Sequence, residues 1–182
     1  MTFTMVLDLD DTTCVSVEKV IELYNREFGT EHHIEEFKEW NLAKFATPEI
    51  YKYYNQPGLH FFRDLPLEEN ALEVLTKLHQ EGVKIVVATS VRPENKEGAE
   101  DKRHWVETYL KGLVTEVHIT TDKSNIKGDV IIDDGIHNLS TSPCTHKIVY
   151  DRPWNRSVED FIRVHNWLEV YETIKKLREE SV

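Results

Sequence analysis

The hydrophobic pattern of this chain switches between a strand-like and a helix-like spacing. Short apolar runs, each followed by polar residues, predict buried strands at 3–7, 83–88, 117–120, 130–132 and 147–150. Apolar residues spaced three or four positions apart predict helices over 17–28, 67–80, 103–110 and 167–178. Because strands that alternate with helices form parallel sheets, the pattern predicts an α/β fold with a Rossmann-like parallel sheet.

The stretch between the first two predicted helices breaks this rhythm. Residues 30–62 show short helical patterns and many aromatic side chains, namely Phe37, Trp40, Phe45, Tyr51, Tyr53, Tyr54, Phe61 and Phe62. We interpret this stretch as a small helical cap inserted after the first strand. The expected division is a core domain at 1–13 and 68–182 with a cap subdomain at 14–67. Further along, the charged residues 92–102 predict a loop.

The composition is that of an ordinary globular protein, with 182 residues, 40% hydrophobic and 30% charged. A formal net charge of −11 argues against a nonspecific nucleic-acid binder, although a metal and a few placed cations would still admit a small anionic substrate. We find no run of membrane-spanning length and no signal-peptide pattern. Cys14 and Cys144 lack the spacing of a metal site. We therefore expect a cytoplasmic protein with a small-molecule partner, and a homodimer is compatible with the sequence.

Three acidic residues, Asp8, Asp10 and Asp11, directly follow the first predicted strand. Carboxylates this close repel one another, and a bound cation offsets the cost of keeping them charged beside a core. Oxygen ligands of this kind suit Mg²⁺. A calcium loop of the EF-hand type is excluded because its sixth position is Thr13 and its twelfth is Lys19. On this segment alone, an acidic turn without a metal is the alternative.

Polar residues also lie at the carboxyl ends of the later predicted strands. Thr89 and Ser90 end the second strand, Lys123 follows the third, and Asp133 and Asp134 end the fourth. Because the carboxyl ends of parallel strands lie along one edge of the sheet, we expect these side chains to converge on the first acidic segment. Carboxylates, a lysine and hydroxyls at one edge are suited to phosphoryl transfer, as nucleophile, metal ligands, charge neutraliser and anion clamp.

Four segments together resemble the four motifs of the haloacid dehalogenase-like (HAD) phosphatases, namely 8–12, 85–89, Lys123 and 131–134. The likeness is closer to the 5'(3')-deoxyribonucleotidases and covers most of the chain. It rests on Phe61-Phe62 followed by Leu65, on Ala71-Leu72-Glu73 and Ala88-Thr89-Ser90, on the Lys-x-x-Trp-Val-Glu-x-Tyr-Leu stretch at 102–110, on Asp122-Lys123 before Asp133-Asp134, and on the Pro-Trp-Asn-Arg at 153–156.

This resemblance implies a reaction mechanism. Asp8 would be the nucleophile that forms an aspartyl-phosphate. Asp10 would protonate the leaving nucleoside oxygen and then act as base for the attacking water. Thr89 would hydrogen-bond the phosphoryl group, with Ser90 as a further substrate contact, and Lys123 would neutralise the phosphoryl charge and hold Asp8 ionised.

The cofactor that the resemblance implies is Mg²⁺. Its ligands would be Asp8, the main-chain carbonyl of Asp10 and an acid of the fourth motif. The subfamily pattern favours Asp134 as the direct ligand, with Asp133 in support. The cap would close over the nucleoside and exclude water.

The cap decides which phosphomonoester is expected. Its aromatic richness favours a nucleotide, with Phe61 and Phe62 as candidate contacts, because aromatic rings stack on a base. The expected reaction is therefore Mg²⁺-dependent hydrolysis of deoxyribonucleoside monophosphates. The alternatives are a HAD phosphatase for a sugar phosphate or another small phosphomonoester, and a catalytically silent domain that binds a nucleotide or a protein.

The chain also departs from the deoxyribonucleotidase pattern. Gly135 stands where those proteins carry an arginine after the paired acids, and Glu69-Asn70 stands in place of their Pro-Gly. Other arginines could supply a second cation to the phosphate, although each also suits a surface or structural role: Arg63, Arg152 and Arg156.

Overall fold

One parallel sheet organises the computed structural model, which describes residues 2–180. Its strands are β1 (Thr4–Leu7), β2 (Lys84–Thr89), β3 (Val114–Ile119), β4 (Val130–Asp133), β5 (His146–Tyr150) and β6 (Ile162–Val164). Their order in the sheet is β3-β2-β1-β4-β5-β6, and all neighbours are parallel. The predicted α/β fold with a Rossmann-like parallel sheet is confirmed.

Helices connect the strands and cover the sheet. They are α1 (Val17–Phe28), α2 (Lys52–Asn55), α3 (Ala71–Gln80), α4 (Gly98–Tyr109), α5 (Ile136–Thr141) and α6 (Trp167–Glu180), with short 3-10 helices at Ile34–Glu36, Leu42–Lys44, Pro48–Tyr51 and Pro153–Asn155. Within residues 2–180, no helix has the length and apolar character needed to cross a membrane.

The alternation of side chains along β1 explains why both faces of the sheet are covered. Met5 and Leu7 enter a large apolar cluster, whereas Val6 enters a smaller cluster that also contains Ile131 and Val149. All of these side chains are almost fully buried. Burial of one such side chain contributes about 1.5–3 kcal/mol, so the centre of the sheet is the stable frame on which the loops are built.

The span predicted as a cap contains α1, α2 and three of the 3-10 helices. Buried residues of this span, such as Phe37 and Ile50, belong to the same apolar cluster as the sheet residues. The proposed division at 1–13, 14–67 and 68–182 stays a prediction, and positions 1, 181 and 182 lie outside the described residues.

The loop predicted at 92–102 is wrong in its second half, because α4 begins at Gly98. The side-chain oxygen of Asn95 accepts hydrogen bonds from the N–H groups of Glu97 and Gly98, at 3.1 and 2.7 Å. The first turns of α4 bury Asp101 and Lys102 rather than apolar residues. A buried face made of charged side chains gives no hydrophobic period, so the helix start was not visible in the pattern.

Other elements also differ from the prediction. Helix α3 begins at Ala71 instead of position 67, since Leu67 forms a bridge with Cys14 and Asn70 has a φ of +63°. Helix α5 was not predicted, because its six residues are too few for a periodic signal. The edge strand β6, Ile162–Val164, was not predicted either, because three residues are too few for a strand pattern.

Candidate active site

A tight turn follows β1 and presents the first acidic residues at the carboxyl edge of the sheet. The N–H of Asp8 donates to the carbonyl of Ile132 in β4, at 3.0 Å, so Asp8 extends the pairing of β1 with β4 by one residue. The carbonyl of Leu9 then accepts the N–H groups of Thr13 and Cys14, at 2.8 and 2.9 Å. This turn places Asp8 and Asp10 beside the end of β4, where an open α/β sheet binds its ligands.

Lys123 joins two of the predicted carboxylates. Its Nζ donates to Oδ1 of Asp8 at 2.7 Å and to Oδ2 of Asp133 at 2.6 Å, and all three side chains are buried. Burial raises the pKa of Asp8 to about 7, although Lys123 acts to lower it. Burial also lowers the pKa of Lys123, but the two carboxylates outweigh this effect and the net pKa is raised. Lys123 is therefore a fixed positive charge beside Asp8.

The paired acids after β4 have different hydrogen-bond partners. Oδ1 of Asp133 accepts the N–H of Gly135 at 2.8 Å and the amide of Asn138 at 3.0 Å, while Oδ2 accepts Lys123. Oδ2 of Asp134 accepts the indole N–H of Trp154 at 2.8 Å. Its Oδ1 has no hydrogen-bond partner among residues 2–180. Asp133 is thus engaged by the protein, and Asp134 keeps an oxygen for a ligand.

The Pro-Trp-Asn-Arg stretch after β5 supports the second of these acids. In addition to the bond from Trp154, Asn155 donates to the main-chain oxygen of Asp134 at 2.9 Å. Asn155 also donates to the main-chain oxygen of Tyr150 at the end of β5. Burial raises the pKa of Asp134 well above its usual value, an effect that a nearby cation would oppose.

Asp11, the third acid of the first segment, has a structural role. Its carboxylate accepts the N–H groups of Ser16 and Val17, at 3.1 and 2.9 Å, and the Ser16 hydroxyl at 2.6 Å. It therefore caps the N-terminus of α1, where a negative charge is favourable. Burial raises the pKa of Asp11 to about 6, with Arg152 opposing the shift.

Lys102, the first residue of the Lys-x-x-Trp-Val-Glu-x-Tyr-Leu stretch, is a site residue for which the sequence predicted no role. Its Nζ contacts Oδ2 of Asp10 and donates to the hydroxyl of Thr89 at 2.8 Å and to the carbonyl of Ser90 at 2.7 Å. The side chain is only 1% exposed, and its ammonium lies 4.5 Å from the ring centroid of Phe62. Lys102 lies in the second turn of α4, away from every strand end, so the strand-end pattern that identified the other site residues did not include it.

A single cavity of about 440 Å³ opens over these groups. Its floor contains Asp8, Asp10, Lys123, Asp133 and Asp134, so the structure brings together the predicted acids and the lysine. Ligand oxygens of Asp8, Asp133 and Asp134 all lie within 4.8 Å of one another, which is the spacing of a metal site. A cavity of this size suits a small ligand.

The remaining predicted contacts divide between the cavity and the layer behind it. Ser90 and Phe62 line the cavity. Thr89 is fully buried behind it, and Phe61 packs edge-on against Phe62 and Tyr54, with ring centroids 5.1 and 4.9 Å apart. Phe61 therefore supports the wall instead of forming its surface.

The wall opposite the floor is aromatic. Trp40 is 57% exposed yet lines the cavity, and its ring lies 5.2 Å from His137 and 6.3 Å from Trp154. Elsewhere on the wall, the guanidinium of Arg92 lies over the ring of Tyr51, 5.0 Å from the ring centroid. Stacked and edge-on rings of this kind are suited to a flat ring of a ligand.

The cations suggested from the sequence are engaged elsewhere. Arg152 bonds to the carbonyl of Asp11 and to Glu68, Arg156 pairs with Glu35 and Asp151, and Arg63 lies 3.6 Å from Asp101. None of the three lines the cavity among the residues described. These contacts favour the surface or structural role that the sequence also allowed for each of them. Arg92 lines the cavity instead, three residues past Thr89 at the same strand end.

Sequence comparisons match the whole described chain to one family. The family model described as "5' nucleotidase, deoxy (Pyrimidine), cytosolic type C protein" matches residues 2–180. A 5'(3')-deoxyribonucleotidase from Clostridium acetobutylicum is 28% identical over 184 residues, covering 97% of each chain. A 5'(3')-deoxyribonucleotidase from Bacillus subtilis is 31% identical over 132 residues, covering 72% of this chain and 74% of that protein.

Several solved structures share the fold of this chain. A HAD-superfamily hydrolase from Ehrlichia chaffeensis superposes with a TM-score of 0.59 at 12% identity, covering 97% of both chains. The "D,D-heptose 1.7-bisphosphate phosphatase" from B. bronchiseptica, solved with magnesium and phosphate, gives 0.52 at 12% identity, covering 96% of this chain and 98% of that one. At these identities the likeness concerns the fold.

Proposed function

The chain belongs to the 5' nucleotidase, deoxy (pyrimidine), cytosolic type C family, and on this premise we propose that it hydrolyses deoxyribonucleoside monophosphates. It is a nucleotidase-type phosphatase with the HAD fold. The observation that carries the finer proposal is one cavity with an acid- and lysine-lined floor and aromatic walls. The floor suits a phosphoryl group, and the walls suit a base.

Asp8 is the proposed nucleophile. Its Oδ1 is held by Lys123 at 2.7 Å, whereas its Oδ2 has no hydrogen-bond partner among residues 2–180. In the first step, Oδ2 bonds to phosphorus and the bond from phosphorus to the ester oxygen breaks, which leaves an aspartyl-phosphate and the nucleoside. In the second step, water attacks the same phosphorus and restores the Asp8 carboxylate.

Asp10 is the proposed proton carrier between these steps. It gives its proton to the leaving ester oxygen and later takes one from the attacking water. Lys102 contacts Oδ2 of Asp10, so the ammonium stabilises the carboxylate that remains after the proton has left. Oδ1 of Asp10 is buried and has no hydrogen-bond partner among residues 2–180, so no protein group competes for the proton that Asp10 transfers.

The donor set at the floor fits Mg²⁺. Asp134 keeps a carboxylate oxygen that no other group in residues 2–180 bonds, and carboxylate oxygens of Asp8, Asp133 and Asp134 lie within 4.8 Å of one another. Hard oxygens of this kind are the ligands that Mg²⁺ prefers. Asp8 and Asp134 would hold the ion, with Asp133 supporting through Lys123 and the main-chain oxygen of Asp10 as a further ligand. When bound, Mg²⁺ would neutralise charge on the phosphoryl oxygens.

Ser90 and Lys123 are the proposed partners of the phosphoryl oxygens at the cavity surface. Thr89 lies behind Ser90, where its hydroxyl accepts a hydrogen bond from Lys102. We therefore assign Thr89 to the support of Lys102 and, through it, of Asp10. The cap segment forms the wall that would shield the reaction from water.

The test is phosphate release, with Mg²⁺ and with EDTA, from deoxy- and ribonucleoside monophosphates and from sugar phosphates. Selective, Mg²⁺-dependent turnover of the deoxynucleotides is the expected result. Turnover of sugar phosphates alone would retain the floor chemistry and overturn the nucleotide assignment. Absence of turnover with every substrate would favour a silent nucleotide- or protein-binding domain.

A further inference from the structure

The last part of the cap, residues 54–65, runs alongside α4, and we call it the return segment. Its groups meet the helix and the residues just before the helix in chain order. The carbonyl of Tyr54 accepts Asn95, the N–H of Gly58 donates to Glu97, His60 bonds Asp101, the ring of Phe62 lies by the ammonium of Lys102, and the carbonyl of Leu65 accepts the indole of Trp105. The return segment and α4 therefore position each other.

One of these contacts is both buried and charged. Asp101 is 1% exposed, and its Oδ1 is hydrogen-bonded to Nδ1 of His60 at 2.9 Å. Nη1 of Arg63 lies 3.6 Å from the same oxygen. His60 has a φ of +49°, in the left-handed region that few residues other than glycine adopt. A carboxylate buried in this way needs polar partners, and the return segment supplies both of them.

Asp101 directly precedes Lys102 in the second turn of α4. The ammonium of Lys102 contacts Asp10 and also donates to Thr89 and Ser90. A lysine side chain has many rotamers and its ammonium is strongly hydrated, so it stays in a buried place only if its backbone is held there. A contact that holds the second turn of α4 on the return segment therefore also holds Lys102 at Asp10.

We propose that Asp101 is a positioning residue for phosphoryl transfer, and that it acts through Lys102 on Asp10. Its bond to His60 holds the second turn of α4 on the return segment, and this turn presents the Lys102 ammonium to Asp10. The inference rests on the proposed function, in which Asp10 carries the proton. Asp101 is not among the described residues that line the cavity, so it acts without touching the substrate.

The experiment measures kcat and KM for dTMP and for p-nitrophenyl phosphate. Asp101→Ala should lower kcat about tenfold on both substrates and leave KM nearly unchanged, because Lys102 moves from Asp10 while the wall remains. In a Lys102→Met background the same change should cause little further loss, since a residue that acts through Lys102 has no effect once the ammonium is absent. Asp101→Asn keeps an oxygen for His60 and should recover most of kcat.

Trp105→Phe is the matched control, because it removes another contact between the return segment and α4. Its indole N–H bonds to the carbonyl of Leu65 at 2.7 Å. The control should lower the melting temperature and leave kcat unchanged. His60→Gly is a second variant in case Asp101→Ala does not fold. It removes the same bond from an exposed position whose φ suits glycine, and it should give the same pattern as Asp101→Ala.

A further readout does not depend on turnover. Because Lys102 is almost fully buried, acetic anhydride should leave it unmodified in the unaltered protein and in Trp105→Phe. The same treatment should acetylate Lys102 in Asp101→Ala, and mass spectrometry of the peptide would show it. Protection of Lys102 in a folded Asp101→Ala variant would contradict the proposal.

The kinetic results can also overturn the proposal. Equal losses of kcat in Asp101→Ala and Trp105→Phe would show that any loosening of this interface acts alike. An undiminished further loss in the Lys102→Met background would show that Asp101 does not act through Lys102. If the unaltered protein hydrolyses p-nitrophenyl phosphate but no nucleotide, the proposed function fails while the aryl ester still tests Asp101. Absence of turnover with both substrates would refute the proposed function and this inference together.

Discussion

The floor and the wall of the cavity are built on different principles. At the floor, charged side chains come from separate strand ends and are tied to one another, as in the contacts of Lys123 with Asp8 and Asp133. At the wall, residues such as Trp40 and Tyr51 come from short 3-10 helices and the segments between them and make mainly ring contacts. The sheet register fixes the floor, whereas the position of the wall depends on the turns between the short helices. Under the proposed function, the floor carries the chemistry and the wall selects the substrate.

Asp8→Asn tests the floor with the largest expected effect. The change is isosteric and removes the proposed nucleophile, so kcat should fall by about 10⁴-fold or more on every phosphomonoester. The fold should be retained, as judged by circular dichroism and thermal unfolding. Near-normal turnover by a folded variant would exclude Asp8 as the nucleophile.

The floor was largely predictable because it obeys a rule of topology. Polar residues that end parallel strands must lie along one edge, so Asp8, Lys123 and Asp134 could be grouped before any coordinates. Lys102 could not be placed in this way, because it reaches the site from the buried face of a helix. The structural cap made by Asp11 was also hidden, since an acid that binds a helix N-terminus looks the same in sequence as a metal ligand.

The sequence predicted that the wall would be aromatic, but not which aromatic residues would line the cavity. The aromatic content of the cap was evident, but which rings face the cavity depends on turns between short helices without a regular period. The result is that Phe62 lines the cavity while its neighbour Phe61 lies behind it. Arg92 was missed because it lies in a segment read only as a charged loop.

Lys102→Met is the next largest test. The variant keeps the aliphatic stem against Phe62 and removes the charge beside Asp10. We expect kcat to fall by roughly 10²-fold for both nucleotides and an aryl phosphate, because proton transfer by Asp10 serves every substrate. Lys111→Met, at an exposed ion pair, is the control and should leave kcat unchanged. A loss confined to nucleotides would place Lys102 with the wall.

Trp154→Phe should have a smaller effect, directed at the metal. It keeps a ring against Trp40 and removes the N–H that orients Asp134. Loss of such a supporting bond is expected to weaken Mg²⁺ affinity by roughly 10-fold, measurable by calorimetry. Trp167→Phe, which removes an indole N–H bonded to the carbonyl of Thr12, is the control. Equal weakening in both variants would show a general loss of packing.

Phe62→Leu and Phe61→Leu form the mildest pair and test the wall directly. Phe62→Leu should raise KM for nucleotides several-fold, up to about tenfold, and leave KM for an aryl phosphate nearly unchanged. Phe61→Leu should leave the ratio of the two KM values unchanged and act mainly on the melting temperature. If instead Phe61→Leu raised KM for nucleotides and Phe62→Leu changed only the melting temperature, Phe61 rather than Phe62 would contact the substrate.

The central claim is that phosphoryl transfer passes through Asp8 at the floor of the cavity. The most direct measurement is mass spectrometry of protein quenched in acid during turnover of a deoxynucleotide with Mg²⁺. The account predicts one added phosphoryl group on the peptide that contains Asp8, present in Phe62→Leu and absent in Asp8→Asn. A phosphoryl group on another residue, or none in an enzyme that turns over rapidly, would contradict it.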